Sequence, residues 1–573
     1  MTQQRLGVVS QFTHWAKMVG WYDPAQLART GARVLVSTLF TSYDDRRAAD
    51  KLIAGDEAAL PTDYSLDEAG APRDALWIDY VADLGDGWHS TYQVAYALSR
   101  RSLALCDPSG AVCDTRRGDV LIFGGDQVYP TASRQTYQDR LVRPYEAALR
   151  DSEAPHPHIY AVPGNHDWYD NLVAFRSLFC TGRWFAGWRT RQRTSYFALK
   201  LPHGWWLVGT DVQLDSDIDA AQLAYFRDVA ARMAPDDQII LCVAEPHWIY
   251  ARAYGKSDDN CNESNLAFLE QRVFNRKIAV YLAGDLHHYR RHANEEGAQK
   301  ITCGGGGAFL HPTHGPDVDV LHGGYTVRSA FPTPRESRRL CWRNLLFQFI
   351  NPKFGVITAI LYTLLAWSVN VNVSIYGMPQ YGDVAQVSLA AILQNQSAVM
   401  WMAILCGGFV LFTEAHSRSF RWIAGTLHAL THLSAVFCLG WWATFFTVQS
   451  LGLPFGSIRQ LLLAGTLIFG LGWLVGSLVM GLYFIIALNG FGRHTNEAFS
   501  SLRSPDWKSF LRMRVDATGV TIYPVGIRRV WKAWRINPGG PESPEWIPDY
   551  QAPRRQHGIE PALIESPIIV KRS

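Results

Sequence analysis

Hydrophobic and polar positions divide the chain into two regimes. From about residue 76 to 310, short apolar runs alternate with helical patterns, at 76–82, 120–123, 159–162, 205–208, 239–243 and 278–282. A short continuous apolar run bounded by turn residues reads as a strand buried on both faces. Each run ends in Gly, Asp, Asn or His. The alternation therefore predicts an α/β domain with its site at strand C-termini. Four longer apolar stretches follow, at 354–371, 399–415, 422–448 and 461–488, almost free of charge. A spanning helix needs ~20 residues, which three of them approach and the second barely reaches. They predict a four-helix transmembrane region over 345–490. Residues 1–75 read as a mainly helical, polar extension whose apolar stretch at 32–40 is too short to span a bilayer. At the other end, alternation around Ala517–Gly519 in "FLRMRVDATGVTIYPV" predicts a β-hairpin, and 491–573 is expected to be a small β-containing cytoplasmic domain.

Charge sets the expected orientation. Arg335, Arg338, Arg339, Arg343 and Lys353 precede the first span, and the loop 373–398 has no Lys or Arg. Arg418 and Arg421 lie between the second and third spans, and Arg459 alone between the third and fourth. Arg493, Arg503, Lys508, Arg512 and Arg514 follow the last. Basic and poor flanks alternate, as an even number of crossings requires. A multi-pass protein of the cell (plasma or inner) membrane is expected, with both termini and the 76–330 domain in the cytoplasm. Net charge over the 573 residues is only +3, so no nucleic-acid partner is predicted. The nine cysteines are scattered without a CxxC pair, against a disulfide scaffold or a structural zinc site. The N-terminal "MTQQRLGVVSQFTHW" lacks the pattern of a signal peptide.

Five stretches carry the candidate chemistry: "VADLGDG", "GGDQVYP", "VPGNHDWYD", "AEPHW" and "AGDLHHYRRH". Each supplies carboxylate, amide or imidazole at a predicted strand end. A mixed N and O donor set suits Fe, Mn or Zn, whereas an all-oxygen set suits Mg or Ca. Alone, a Gly-Asp after a strand reads as a turn and a lone His as packing; the five together read as a metal site.

The order of these blocks resembles that of the calcineurin-like metallophosphoesterases, over roughly residues 76–310. The resemblance implies a β-sandwich flanked by helices across 76–330, carrying two metals about 3.5–4 Å apart. It implies that Asp83 belongs to the ligand set, that Asp126 bridges both metals, and that Asn165 and His247 bind the second. His166 is then expected to act over the phosphate, and Asp167 to orient that histidine. Two blocks depart from the commonest pattern. Asp83-Leu84-Gly85 stands where D-x-H is usual, so a histidine ligand is missing. Gly284-Asp285-Leu286-His287 stands where G-H-x-H is usual, leaving His287 for the first metal and a carboxylate, Asp285, on the second. Purple acid phosphatases, a branch of this superfamily, combine D-x-G with G-D-x-x-Y. Asp83-x-Gly85 and Gly125-Asp126-x-x-Tyr129 match both halves. There the tyrosine binds ferric iron as phenolate, which a phenol of pKa near 10 does only on a strongly Lewis-acidic metal. The other reading has Tyr129 packing in the core while Asp86 or water completes the first metal.

The function expected is hydrolysis of a phosphate ester by a hydroxide activated on two Fe, Mn or Zn ions. One span suffices for tethering, so the four-helix region favours a lipid-linked substrate, with membrane lipids as partners. An alternative of another class is a membrane sensor or transporter-like protein whose domain binds nucleotide without hydrolysing it. Intact Asn165–His166–Asp167 counts against that, and Asp285 for it. Secondary signals remain open. Arg290 and Arg291 are candidate substrate-phosphate contacts or solvated charges. "CGGGGAFLHPTHG" reads as an active-site turn, with His311 and His314 near the site or ordinary loop residues. "GRWFAGWRTRQR" fits a membrane interface or an exposed loop. His428 and His432 share a helix face, with His494 and Glu497 beyond the last span, and suit interhelical hydrogen bonds or a further metal or haem. Gly472 and Gly476 form a small-xxx-small pair suited to helix packing.

Overall fold

The computed structural model describes residues 15–29, 61–151, 156–212, 218–254, 261–275, 278–373, 395–413, 417–540, 543–551 and 558–572. Most of the expected helical extension at 1–75 lies outside them. The chain divides into two compact units, one of residues 1–19, 30–337 and 503–573, the other of 20–29 and 338–502.

The first unit is a two-sheet sandwich with helices on both outer faces. Five strands feed its site: β1 (Ala75–Val81), β2 (Val120–Phe123), β3 (His158–Ala161), β4 (Gln238–Cys242) and β5 (Val280–Ala283). β1, β2 and β3 run parallel at the heart of a nine-stranded sheet, and β4 and β5 run parallel within an eight-stranded one. Leu76, Ile78, Ile122 and Val162 from one sheet meet Leu207, Ile240, Val280 and Leu282 from the other in a shared core. The alternate residues Val81, Leu121, Phe123 and Ile159 pack outward against helices that contribute Tyr92, Leu141, Tyr145 and Phe175. Ile239, Leu241 and Val243 do the same on the far side with Phe226, Val229 and Leu269. Burial on both faces explains why these strands read as unbroken apolar runs. No disulfide joins the eight described cysteines, all of which are free.

The C-terminal hairpin forms where alternation placed it, as strands Lys508–Asp516 and Gly519–Ile527. It is not a domain apart. Its first strand pairs antiparallel with β1, in register Arg512↔Asp79, and so extends the nine-stranded sheet. The reason is chemical as well as apolar. Arg512 is fully buried and forks onto both oxygens of Asp79, at 2.8 and 3.1 Å. A one-residue slip would part that pair and leave two buried charges uncompensated. "GRWFAGWRTRQR" supplies the opposite edge of the same sheet as strands Trp184–Phe185 and Trp188–Thr190, with Phe185 and Trp188 buried and Arg189 over the exposed Trp184 ring.

The second unit is a helix bundle: α1 (Pro352–Val373), α2 (Gln396–Phe412), α3 (Arg418–Phe445) and α4 (Ile458–Phe491). Among the described residues, three helices are long and apolar enough to cross a membrane, over Pro352–Val369, Arg418–Ser450 and Ile458–Phe491. α2 has 17 residues and falls short of the four spans expected; at 1.5 Å per residue it reaches about 26 Å against a hydrocarbon core of ~30 Å. The loop expected at 373–398 falls largely outside the described residues. Gly472 and Gly476 lie against Tyr362 and Thr358 of α1, so the small-residue pair serves close helix packing. His428 and His432 are buried and hydrogen bonded, His432 Nδ1 to Tyr362 on α1 at 2.7 Å and Nε2 to His428 Nε2 at 3.2 Å. His494 Nε2 lies 2.9 Å from the Tyr483 hydroxyl. The Tyr362 contact is an interhelical hydrogen bond, whereas the His428–His432 contact lies within α3. Among the described residues no group of three or more His, Cys, Asp or Glu is placed to hold a metal there.

Candidate metal centre

Three aspartates mark the strand ends. Asp83 follows β1, Asp126 follows β2 and Asp285 follows β5, and all three have left-handed backbone, with φ of 58°, 48° and 66°. Asp tolerates this conformation better than most residues, yet it is strained. Three instances at corresponding strand ends mark a site whose geometry the surrounding fold enforces. The loops after β1 and β2 run side by side, with Asp83 N–H donating to Gly125 O and Gly85 N–H to Gln127 O, each at 3.0 Å. A Cβ at Gly85 would sit 2.7 Å from that Gln127 oxygen. The glycine of the D-x-G block is thus what lets the Tyr129 loop approach.

Tyr129 is buried, and its hydroxyl lies 3.3 Å from Asp83 Oδ1, 3.1 Å from Asp126 Oδ2 and 2.9 Å from His287 Nε2. The Nδ1–H of His287 donates to Phe309 O at 2.8 Å, which fixes the tautomer and turns the Nε2 lone pair toward the tyrosine. Asp285 N–H donates to Asp83 Oδ1 at 3.1 Å, and the Asp285 carboxylate accepts from the Tyr250 hydroxyl. Asn165 opens the short helix Asn165–Trp168 and His247 opens His247–Tyr254. Asp86 is tied to the backbone N–H groups of Val19 at 2.6 Å and Phe309 at 3.2 Å.

Metal fit can be tested on these atoms. Asp83 Oδ2, Asn165 Oδ1 and His247 Nε2 are buried without a hydrogen-bond partner. Leaving a buried polar atom unsatisfied costs about 1–3 kcal/mol, and three at once among candidate ligands call for a cation. Separations near 3 Å around the Tyr129 hydroxyl equal the edge of a coordination polyhedron with bonds of about 2.1 Å. Among the described residues no three His, Cys, Asp or Glu side chains close a ligand shell by themselves, so the fit depends on the tyrosine and the asparagine as further donors. A Cβ at Gly304 would lie 1.9 Å from Asp83 Oδ2, so the glycine run leaves room beside that orphaned oxygen.

The electrostatics agree. Burial pushes the Asp83 carboxyl well above its ordinary range, and Asp126 and Asp285 add to it. Burial raises Asp126 as well, and lifts Asp285 to about 7 with help from Asp126. Burial also holds His247 down at about 3, and His287 well below its usual value, with His311 and Lys508 contributing. Crowded carboxyls that resist ionising beside imidazoles that stay neutral form a donor set whose missing term is positive charge.

Several expected roles are corrected. The orienting partner of His166 Nδ1 is the Pro130 carbonyl, at 2.7 Å, rather than Asp167. Asp167 instead accepts from Gly164 N–H at 2.9 Å, from Gln127 N–H and from the Tyr137 hydroxyl, tying together the loops after β2 and β3. Arg290 is buried and donates to Thr313 O, while Arg291 forks onto Glu565 and donates to Gln299 at 2.9 Å. Successive strand residues point to opposite faces, and both arginines are consumed by structure rather than left for substrate. The glycine run is packed: Gly306 and Ala308 N–H groups bond Ala82 O and Asp83 O, so those two are not free for a phosphate. His311 stacks on His287 at 4.0 Å, whereas His314 bonds Ser337 at 2.8 Å. Sequence reasoning missed Tyr250 and Lys508. The Lys508 ammonium, fully buried and lowered by that burial to about 8, donates to Ala308 O from the C-terminal hairpin.

Residues 76–289 match the family described as calcineurin-like phosphoesterase. No curated protein matches the chain. Among solved structures, similarity is found to GAP50, the anchor in the inner membrane complex of Plasmodium, at 14% identity, over 44% of this chain and 77% of that one, with a TM-score of 0.31. A purple acid phosphatase from yellow lupin (Lupinus luteus) seeds matches at 13% identity, over 42% of this chain and 46% of its own, with a TM-score of 0.28. PhoD matches at 11% identity, over 42% and 59%, with a TM-score of 0.27. The chain thus spans less than two thirds of the latter two. The sequence match falls on the strands and loops that gather the donor atoms, and residues 76–289 are what the chain shares with the calcineurin-like phosphoesterase family.

Proposed function

We propose that the chain is a membrane-anchored, dinuclear metal-dependent phosphoesterase acting on a phosphate ester, with lipid-linked esters at the cytoplasmic face as its substrate class. The observation that carries this reading is the cluster of buried, partly orphaned donors around the Tyr129 hydroxyl, on a calcineurin-like phosphoesterase domain. Asp83, Asp126, Tyr129 and His287 would hold one metal, and Asp126, Asn165, His247 and Asp285 the other. Fe, Mn and Zn all suit such a set. When bound, the pair supplies Lewis acidity toward phosphoryl oxygens and an activated water. The chain does the rest. With Nδ1–H donating to Pro130 O, the His166 ring is held in one orientation and would hold or give a proton on the leaving-group side. Asp167 fixes the loops that carry Asp126 and Asn165, and Tyr250 fixes Asp285. No phosphorylated side chain is needed. Chelation of the purified full-length protein should abolish turnover of a generic phosphoester, and added metal should restore it; turnover indifferent to chelator would overturn the reading. If Tyr129 binds ferric iron, the oxidised protein absorbs visible light and Tyr129→Phe removes the band. A colourless, iron-free protein with a fully active Tyr129→Phe would dismiss the phenolate while leaving the phosphoesterase.

Three apolar helices support membrane anchoring. Strands before and after the bundle in sequence share one sheet. The chain would then return to the side it left, which supports an even number of crossings and asks the shorter α2 to make the fourth. The basic flanks favour the cytoplasm for that side. A reporter active only outside the cytoplasm should be silent when fused after residue 573 and active when placed within 373–398. The reverse pattern would overturn this orientation.

A further inference from the structure

The run 338–350 links two chemistries on one face. It comprises the end of helix Pro334–Cys341, the 3-10 turn Trp342–Leu346 and the short helix Phe347–Ile350, just ahead of α1. Its inner face is packed against the rest of the unit. Asn344 donates to Ala498 O at 2.9 Å and accepts from Ser501 at 2.6 Å, and Phe347 packs edge-on against Tyr22 and Phe354. The backbone at Asn344 passes so close to α4 that a Cβ on Gly481 would sit 2.1 Å from its oxygen. The outer face holds Arg338, Arg339 and Arg343, all exposed, and none has a hydrogen-bond or ion-pair partner among the described residues. Beside them Trp342, Leu346 and Phe349 are 55, 49 and 66% exposed. On α1, which follows directly, Val356, Ile360 and Trp367 are also exposed.

We propose that 338–350 is an interfacial element that binds anionic phospholipid headgroups, with the three guanidiniums at phosphate level and Trp342, Leu346 and Phe349 among the upper acyl chains. The proposal rests on the membrane reading above. Two features choose lipid over a protein partner. The apolar residues immediately precede a helix long and apolar enough to span a bilayer, and indole and guanidinium close together in sequence are the pairing that membrane interfaces favour. The cations choose anionic over zwitterionic headgroups. A basic residue near an anionic surface contributes about 1 kcal/mol, or roughly fivefold in affinity, so three give on the order of a hundredfold.

The test uses the full chain reconstituted in phosphatidylcholine vesicles containing brominated phosphatidylglycerol or, separately, brominated phosphatidylcholine. The emission that Trp342→Phe removes reports the lipid around residue 342. Brominated phosphatidylglycerol should quench that component the more strongly, high salt should shrink the difference, and combined Arg338→Gln, Arg339→Gln and Arg343→Gln should abolish it. Equal quenching by the two lipids overturns the proposal, as does an emission component at 342 that neither lipid quenches. If the chain stays in solution without detergent or vesicles, the membrane reading falls together with this one. If it embeds but shows no lipid preference, only this one falls.

Discussion

Asp126→Ala should empty the centre and abolish turnover, whereas His166→Ala should keep its metal and lose about 10²–10⁴-fold in rate, the usual contribution of a positioned acid–base group. The two residues touch: His166 N–H donates to Asp126 Oδ1 at 3.0 Å. Their side chains face different work. Asp126 Oδ2 stands 3.1 Å from the Tyr129 hydroxyl, so its removal opens both halves of the donor cluster at once. The His166 imidazole is anchored by a backbone carbonyl, with Nδ1 2.7 Å from Pro130 O. Metal content by elemental analysis, measured beside turnover, separates the two. Equal metal in both variants, or a fully active His166→Ala, contradicts the assignment.

Stripped of metal, the first unit should lose stability as pH rises above about 6.5, and regain it when metal returns. Above the ordinary histidine value, 6.5 for His247, the depressed imidazoles are neutral whether folded or unfolded and contribute no pH dependence. The carboxyls do contribute. Asp285, at about 7 in the folded protein against an ordinary 3.8, and Asp83, raised further, hold protons that the unfolded chain has already released. A raised carboxyl stabilises the fold fully only below its unfolded pKa, and that stability is lost as pH passes through the folded value. Each carboxyl still protonated costs on the order of 1 kcal/mol per pH unit. Below 6.5 the histidines act in the opposite sense and blunt the trend. Metal reverses the carboxylate term, since a cation favours the charged form. Thermal midpoints of chelated and Mn-loaded protein, measured at pH 6.5 and 8, should therefore diverge at the higher pH. Parallel midpoints would contradict the account.

Much of the site was legible because it is local. A strand buried on both faces leaves an unbroken apolar run, and the donor follows within a few residues, as with Asp83, Asp126 and Asp285. The rest depends on what no local pattern carries. Pro130 orients His166 through its backbone, so its side chain gives no sign. Tyr250 lies one helical turn beyond His247 and looks like any aromatic on a packed helix. Lys508 reaches Ala308 only because the C-terminal hairpin pairs with β1, and that pairing rests on the cross-strand match of Arg512 with Asp79. Arg290 and Arg291 misled by proximity to His287, since adjacency along a strand sends neighbours to opposite faces. α2 read as one of four spans by composition, yet its helix runs short of the other three.

The place of that hairpin in the sheet bears on how the protein is made. β1 is synthesised early, but its neighbour Lys508–Asp516 lies beyond all four helices of the bundle. At about 5–20 residues per second, translation leaves β1 with an open edge and Asp79 without Arg512 for roughly 20–90 s. On the proposed membrane reading, the helices would be handed to the membrane during that interval, with the sandwich still unfinished. Open strand edges invite pairing with other chains, so the nascent domain needs protection until its last strands arrive. A chain that stops anywhere in the bundle would carry every candidate metal ligand and still have no finished sheet to hold them.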